Sequence, residues 1–350
     1  MTQSEIYMQR CLQLAMLGKN RVAPNPMVGA VLLYDNKIIG EGYHENFGGA
    51  HAEVNCINNV KNENVELIPK ATLYVSLEPC NHFGKTAPCV DVILQYKIKK
   101  VVVGCSDPFN KVNGKGIQRL RDNSVTVIEK ILEKDCIELN KRFFTFHKKK
   151  RPYIILKWAI SKNGMLAYEN SKPIKISNEF SDRLVHKWRS EEDAILIGSQ
   201  TALSDNPMLN NRLWVGKNPK RIIIDSDLKV NSTNNIFNQE QTTIVFNNIK
   251  SEVIGNTHLV KINSSKSVIQ NILDFCFENN IQSIIIEGGA ITHQHFIEEN
   301  VWDEARIIQN QQLVINNGIE SAQLKNAQFI SSEKFLNDTI SFYQNITTLE

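Results

Sequence analysis

No stretch of the 350 residues approaches the roughly 20 consecutive apolar residues that span a bilayer. The opening MTQSEIYMQR lacks the basic patch, apolar core and small-residue cleavage site of a secretory leader. These absences predict a cytoplasmic protein with no membrane partner and with its seven cysteines reduced. One-sided charge is missing too: the formal net charge is +3 and neither half has the basic excess of a nucleic-acid-binding domain, so no nucleic-acid partner is expected. No Gly-x-Gly-x-x-Gly follows a strand and opens a helix, and the nearest run, Gly114-Lys115-Gly116, lacks the third glycine, which argues against a Rossmann dinucleotide site. Repeats of fixed period are absent, which excludes solenoids and propellers.

What is present belongs to an ordinary globular protein, 42% hydrophobic and 22% charged, and its length suits two domains. Residues 1–150 carry a net +6 and residues 151–350 a net −3. Cysteine is equally lopsided: Cys11, Cys56, Cys80, Cys89, Cys105 and Cys136 lie in the first part and Cys276 alone in the second. Between them runs Lys148-Lys149-Lys150-Arg151-Pro152, which reads as a solvated linker. The expected domains are therefore 1–147 and 148–350.

Both parts read as α/β. Thr2 and Glu5 have capping-box spacing ahead of an amphipathic helix that Gly18 can end. MVGAVLLY (27–34) and KIIGEGY (37–43) are strand-like runs joined by Asp35 and Asn36, a tight-hairpin pattern. A helix over 51–60, a strand over 71–77, a helix over 87–95 and a strand over 100–104 follow. In the second part YIILKWA (153–159), DAILIG (193–198), RIIIDS (221–226), TTIVF (242–246) and SIIIEGG (283–289) are branched-aliphatic runs that predict buried strands, the last leading into a helix over 291–299.

The chemistry starts at His51-Ala52-Glu53, one helix end. The strand 71–77 then leads into Glu78-Pro79-Cys80, and Cys89 stands nine residues beyond Cys80. One histidine and two cysteines are three zinc ligands, leaving open the fourth position that catalytic zinc keeps. Zinc lowers the pKa of water toward about 7, and Glu53 could shuttle protons beside it without being a ligand. A structural zinc would need a fourth ligand, for which Cys56 and His82 are the candidates; Cys56 lies off the helical face of His51 and reads as core, and His82 as a polar pocket wall. In the second part Glu287-Gly288-Gly289 ends a strand before a helix, where bare N–H groups can receive a phosphate.

APNPMVGAVLL (23–33), GYHENFGGAHAEVNCI (42–57), LYVSLEPCNHFGKTAPCVDVI (73–93) and GCSDPFNKVNGKG (104–116) resemble the deaminase half of the bifunctional riboflavin-biosynthesis deaminase-reductases. The eight residues between Cys80 and Cys89 match that branch, whereas nucleoside and tRNA deaminases have two. The resemblance implies a cytidine-deaminase-like three-layer α/β/α domain that removes ammonia from carbon 2 of a diaminopyrimidinone ribosyl phosphate. It assigns His51, Cys80 and Cys89 to zinc, Glu53 to proton transfer, and Asn25, His44, His82, Lys85 and Asp107 to the substrate, with Lys85 suited to the phosphate. Phe109 departs from the polar residue usual after Asp107-Pro108, and Asn110 is a candidate to compensate.

LKWAISKNGMLA (156–167), HKWRSEEDAILIGSQTALSDNPMLNNR (186–212), RIIIDS and IIIEGGAITHQHFI (284–297) are similar to the reductase half of the same family. That implies a dihydrofolate-reductase-like α/β domain in which NADPH reduces the open-chain ribose to a ribityl chain. Carried over, Ala159, Lys175, Thr201, Asp205, Ser226, Gly289, Ala290, Ile291, Thr292, His293, Gln294 and His295 face NADPH. Pro173, Arg189, Leu209, Arg212 and Glu287 face the substrate, with Arg189 and Arg212 suited to its phosphate. Asn163 stands where the family has aspartate, Pro173 and Lys175 where it has serine and tryptophan, and QNQQLVINNGI replaces a glycine-containing turn. A homo-oligomer is expected. Two other readings fit parts of the pattern: a deaminase whose C-terminal domain only binds or scaffolds, and a zinc-dependent nucleic-acid deaminase, which matches the metal triad but neither the eight-residue loop nor the modest charge.

Overall fold

The computed structural model describes residues 1–83, 87–109, 112–169 and 174–348. The chain divides into two compact units, Met1–Lys150 and Arg151–Glu350.

The first unit opens with α1 (Gln3–Met16), where Thr2 and Glu5 form the reciprocal capping box and Met8, Cys11, Leu12 and Ala15 bury one face. β1 (Gly29–Tyr34) and β2 (Lys37–Tyr43) form the hairpin. Asp35 and Asn36 have φ of 46° and 60°, the left-handed pair that a two-residue turn needs to match the twist of its strands. Then come α2 (Ala52–Asn58), β3 (Thr72–Leu77), α3 (Cys89–Gln95), β4 (Lys100–Cys105), α4 (Lys115–Asp122), β5 (Thr126–Ile128), α5 (Glu133–Leu139) and α6 (Lys141–Lys149). The sheet runs β2-β1-β3-β4-β5, with β3, β4 and β5 parallel.

Alternate residues of the central strands build two cores, as the two-residue period of a strand requires. Leu32, Leu73, Val101 and Val103 pack with Ala52 and Cys56 of α2, Ile93 of α3 and Leu120 of α4. On the other face Val31, Tyr74 and Val102 pack with Met8 of α1, Cys136 of α5 and Phe144 of α6. Three α/β/α layers result, in accord with the sequence.

The second unit contains β6 (Tyr153–Ile160), β7 (Met165–Tyr168), α7 (Glu179–Glu191), β8 (Ala194–Gly198), α8 (Ser199–Asp205), β9 (Lys220–Ile224), β10 (Thr243–Asn247), β11 (Glu252–Ile254), β12 (Thr257–Lys261), α9 (Val268–Glu278), β13 (Ser283–Ile286), α10 (Ala290–Glu298), β14 (Glu304–Asn310), β15 (Gly318–Glu320), β16 (Ala327–Phe335) and β17 (Asp338–Asn345). Its main sheet is ordered β11-β12-β10-β9-β8-β13-β6-β14-β17-β16. The strands from β12 to β14 are parallel, and β11 at one end and β17-β16 at the other are antiparallel. Ile154, Leu156, Leu196 and Ile284 face one core, Ile155, Ile195, Ile197 and Ile285 the other. Burial on both faces explains the unbroken aliphatic runs.

The junction differs from expectation. α6 includes Lys148 and Lys149, so they belong to the first unit. Arg151 is 9% exposed, not a solvated linker charge: its Nη1 and Nη2 donate to the Asp303 carboxylate at 2.6 and 2.8 Å inside the second unit. No helix among the described residues is long and apolar enough to cross a membrane.

Candidate active sites

In the first unit the C-terminal end of β3 and the N-termini of α2 and α3 meet. His51 is the residue before α2, Glu53 lies in its first turn, Cys80 follows β3 and Cys89 opens α3. The Nδ1 of His51 is 3.2 Å from Cys89 Sγ and 3.5 Å from Cys80 Sγ. The three ligand atoms lie within 4.8 Å of one another, a candidate metal-ligand cluster among the described residues. Cys80 also accepts the Cys89 N–H at 3.3 Å; hydrogen bonds from Cys89 and His51 push its thiol down, while its negative neighbour and burial push Cys89 up. Cys56 is buried in the apolar layer, and neither it nor His82 joins the cluster, which has three members among the described residues.

Glu53 is 3% exposed, and burial raises its carboxyl. His44 meets His51 edge to face at 5.3 Å between ring centroids. Its Nδ1 faces the Ala50 carbonyl at 3.0 Å, so that nitrogen carries the proton and Nε2 accepts from Asn25 Nδ2 at 3.1 Å. Burial lowers the pKa of His44 and so disfavours its charged form. Asp107 accepts the Phe109 N–H at 2.8 Å and burial lifts its carboxyl to about 7. The ring of Phe109 packs between those of His82 and His147, at 5.9 and 5.0 Å. Lys85 and Asn110 lie outside the described residues.

In the second unit a cavity of about 990 Å³ opens beside β6, β8 and β13. Ala159, Lys175, Thr201, Asp205 and Gly289–Thr292 line it, as do Arg189, Arg212 and Glu287. Five expected contacts do not. Leu209 is 3% exposed in the core, Ser226 lies past β9, and only the first turn of α10 reaches the cavity, leaving Gln294 and His295 outside. His293 is turned inward on the same helix, with Nδ1 3.1 Å from the Gly289 carbonyl and Nε2 3.2 and 3.1 Å from those of Lys157 and Ile286. A helix presents one face, so six consecutive residues cannot share a ligand. Pro173 lies outside the described residues.

Glu287 anchors the polar wall. Arg189 donates Nε and Nη2 to its two oxygens, both at 2.8 Å, and Lys157 Nζ lies 3.3 Å away. Burial pushes the Glu287 carboxyl up, but the charges of Arg189 and Lys157 outweigh it and hold the group at about 2. The Arg189 fork is thus engaged by Glu287, while Arg212 reaches the cavity with Nη1 on the Asn210 side chain. Beneath them His186 accepts the Arg212 N–H at 3.1 Å; burial, then both arginines, lowers it to about 4.

Sequence reasoning assigned no role to Lys157 or His186; only their spacing along β6 and α7 relative to Glu287 and Arg189 could have hinted at one. Asn163 has a local explanation: its Oδ1 accepts the Ile315 N–H at 3.1 Å and its Nδ2 donates to the Ile315 carbonyl at 2.9 Å, a pairing a carboxylate cannot make. Lys175 is paired with Asp182 at 3.0 Å.

Comparisons with known proteins follow the same division. The family model described as the cytidine and deoxycytidylate deaminase zinc-binding region matches residues 1–105, and that of the RibD C-terminal domain matches residues 152–316. The riboflavin biosynthesis protein RibD of Aquifex aeolicus is 38% identical over 302 residues, covering 85% of this chain and 84% of that protein. RibD of Bacillus amyloliquefaciens is 36% identical over 309 residues, covering 86% and 82%. Among solved structures, a diaminohydroxyphosphoribosylaminopyrimidine deaminase/5-amino-6-(5-phosphoribosylamino)uracil reductase from Thermotoga maritima superposes with a TM-score of 0.86 at 32% identity, covering 98% of each chain.

Proposed function

The chain belongs to the RibD family of bifunctional riboflavin-biosynthesis deaminase-reductases, and we propose that its two sites act in succession on one pyrimidine ribosyl phosphate. The observation that carries this reading is the meeting of three metal-ligand side chains with one buried carboxyl in the first unit.

The donor set fits zinc: two soft sulfurs and one imidazole, mutually within 4.8 Å, with a thiol already pushed toward thiolate. His51, Cys80 and Cys89 would hold it, and bound zinc supplies the Lewis acidity that activates water for attack on carbon 2. Glu53 takes one proton from the attacking water and passes it to the ring nitrogen, then carries the second, from the newly added hydroxyl, to the departing amine. Asn25, His44 and Asp107 hold the ring and ribose, with His82 on the wall; Lys85, outside the described residues, is assigned to the phosphate on the family resemblance.

In the second unit the cavity fits a nicotinamide cofactor. Gly288 and Gly289 leave the backbone bare where α10 begins, and a Cβ at Gly288 would stand 2.8 Å from Thr292, filling the cradle. NADPH, when bound, supplies the hydride. Ala159, Lys175, Thr201, Asp205 and Gly289–Thr292 face it, while Arg212 binds the substrate phosphate and Arg189 and Glu287 border the ribose. We extend the proposal to a homo-oligomer, supported by the edge strand β16, on which Phe329 and Ile330 are 55% and 52% exposed.

A split assay tests the two activities. Zinc-loaded protein given the diaminopyrimidinone ribosyl phosphate is expected to release ammonia without NADPH, and then to consume NADPH when it is added. Ammonia without NADPH consumption would reduce the second unit to a binding domain; no ammonia would overturn the substrate assignment.

A further inference from the structure

Glu78 lies directly after β3 and two residues before Cys80, and is 3% exposed. Its carboxylate accepts four backbone N–H groups: Asp107 at 3.2 Å and Gly114 at 2.9 Å on Oε2, Gly116 at 3.0 Å and Ile117 at 3.3 Å on Oε1. Three of these donors open α4, where unpaired N–H groups and the helix dipole favour an anion. The fit is close, since a Cβ on Gly116 would stand 2.1 Å from the Pro79 carbonyl oxygen. Farther along α4, Arg119 donates Nη1 to Asn81 Oδ1 at 2.8 Å and Nη2 to Asp91. Asn81 follows Cys80, and Asp91 is two residues past Cys89.

A helix cap needs only the N–H groups of the first turn. Here the same carboxylate also fixes the Asp107 backbone, and the same helix grips the turns that carry both cysteines. We infer that Glu78 is a positioning residue for deamination: acting through α4 and Arg119, it sets the Asp107 turn against the two sulfur ligands. The pyrimidine nucleotide must fit between those two elements. This rests on the deaminase reading of the first unit.

Glu78→Gln in the full chain tests it. The amide keeps the shape but turns an NH₂ donor toward two of the four N–H groups. Per zinc-loaded chain, kcat/KM for the diaminopyrimidinone ribosyl phosphate should fall roughly 10–100-fold, the usual loss of activity when an outer-shell partner of a metal site is removed, with most of the loss in KM rather than kcat. Amide hydrogen exchange at Asp107, Gly114, Gly116 and Ile117 should accelerate together. A carboxylate that only stabilises the fold would lower the yield of zinc-loaded protein while leaving the KM of that protein unchanged, and this result overturns the inference. Arg119→Gln, at a partly exposed position, serves if Glu78→Gln does not fold: its KM should rise about threefold or more, and an unchanged KM again overturns the inference. Should the parent protein release no ammonia, the deaminase reading fails on its own. Unchanged exchange at the four amides in Glu78→Gln would then still refute the brace.

Discussion

Replacing Glu287 by glutamine removes the one negative charge between Arg189 and Lys157, whose side chains are 13% and 12% exposed. The carboxyl sits at about 2 in the folded protein against an ordinary value of 4.5. At 1.36 kcal/mol per pKa unit, its ionisation stabilises the second unit by about 3 kcal/mol near neutral pH. Removing one member of a buried charge cluster costs 3–5 kcal/mol by general experience, so about 3 kcal/mol is a lower bound. For a unit of this size the loss corresponds to roughly 6–12 °C in Tm. The pH dependence has a fixed sign. A depressed folded pKa gives stability that is complete above the unfolded value of 4.5, shrinks to about 1 kcal/mol at pH 3 and vanishes below the folded value. Urea unfolding followed by tryptophan fluorescence reads this unit alone, because Trp158, Trp188, Trp214 and Trp302 all lie within it. The difference between parent and Glu287→Gln should narrow by about 2 kcal/mol between neutral pH and pH 3. A difference that does not change with pH, or one below about 1 kcal/mol at neutral pH, would refute the reasoning.

Under the proposed mechanism, in which Glu53 carries the protons and is not a ligand, Glu53→Gln should keep one zinc per chain and lose deamination by at least about 100-fold; a rate near the parent's would sink the role. Cys89→Ala should bring metal content well below one per chain and lower the Tm of the first unit, because metal binding is linked to folding; full metal occupancy by elemental analysis would contradict the ligand set. Asp303→Asn leaves Arg151 buried without its carboxylate and should cost about 3–5 kcal/mol in the tryptophan-detected unfolding of the second unit. A loss under about 1 kcal/mol would show that Arg151 finds water in the variant.

Much of both sites was legible because their signals are local. The capping box of Thr2 and Glu5 and the Asp35-Asn36 turn recur in the structure, and His51, Cys80 and Cys89 gather as a candidate metal-ligand cluster. The α10 contacts were only partly legible. A continuous run from Gly289 to His295 ignores helical rotation, which turns His293 into the core and His295 to solvent. The antiparallel addition of β17 and β16 gave little warning, since β16 is exposed on nearly every residue and lacks the alternation that marks a half-buried strand.

The amino-acid sequence by itself determined the elements that depend on neighbours a few residues away, and the donor types that make a zinc site possible. The tertiary structure alone decided what each charge faces. Glu287 finds Arg189 across 98 residues and Lys157 across 130, and Glu78 finds its four N–H partners 29 to 39 residues along the chain. Whether a buried carboxylate is a ligand-binding group, an ion-pair partner or a brace depends on those distant contacts, because desolvation makes its free energy hinge on the donors that replace water.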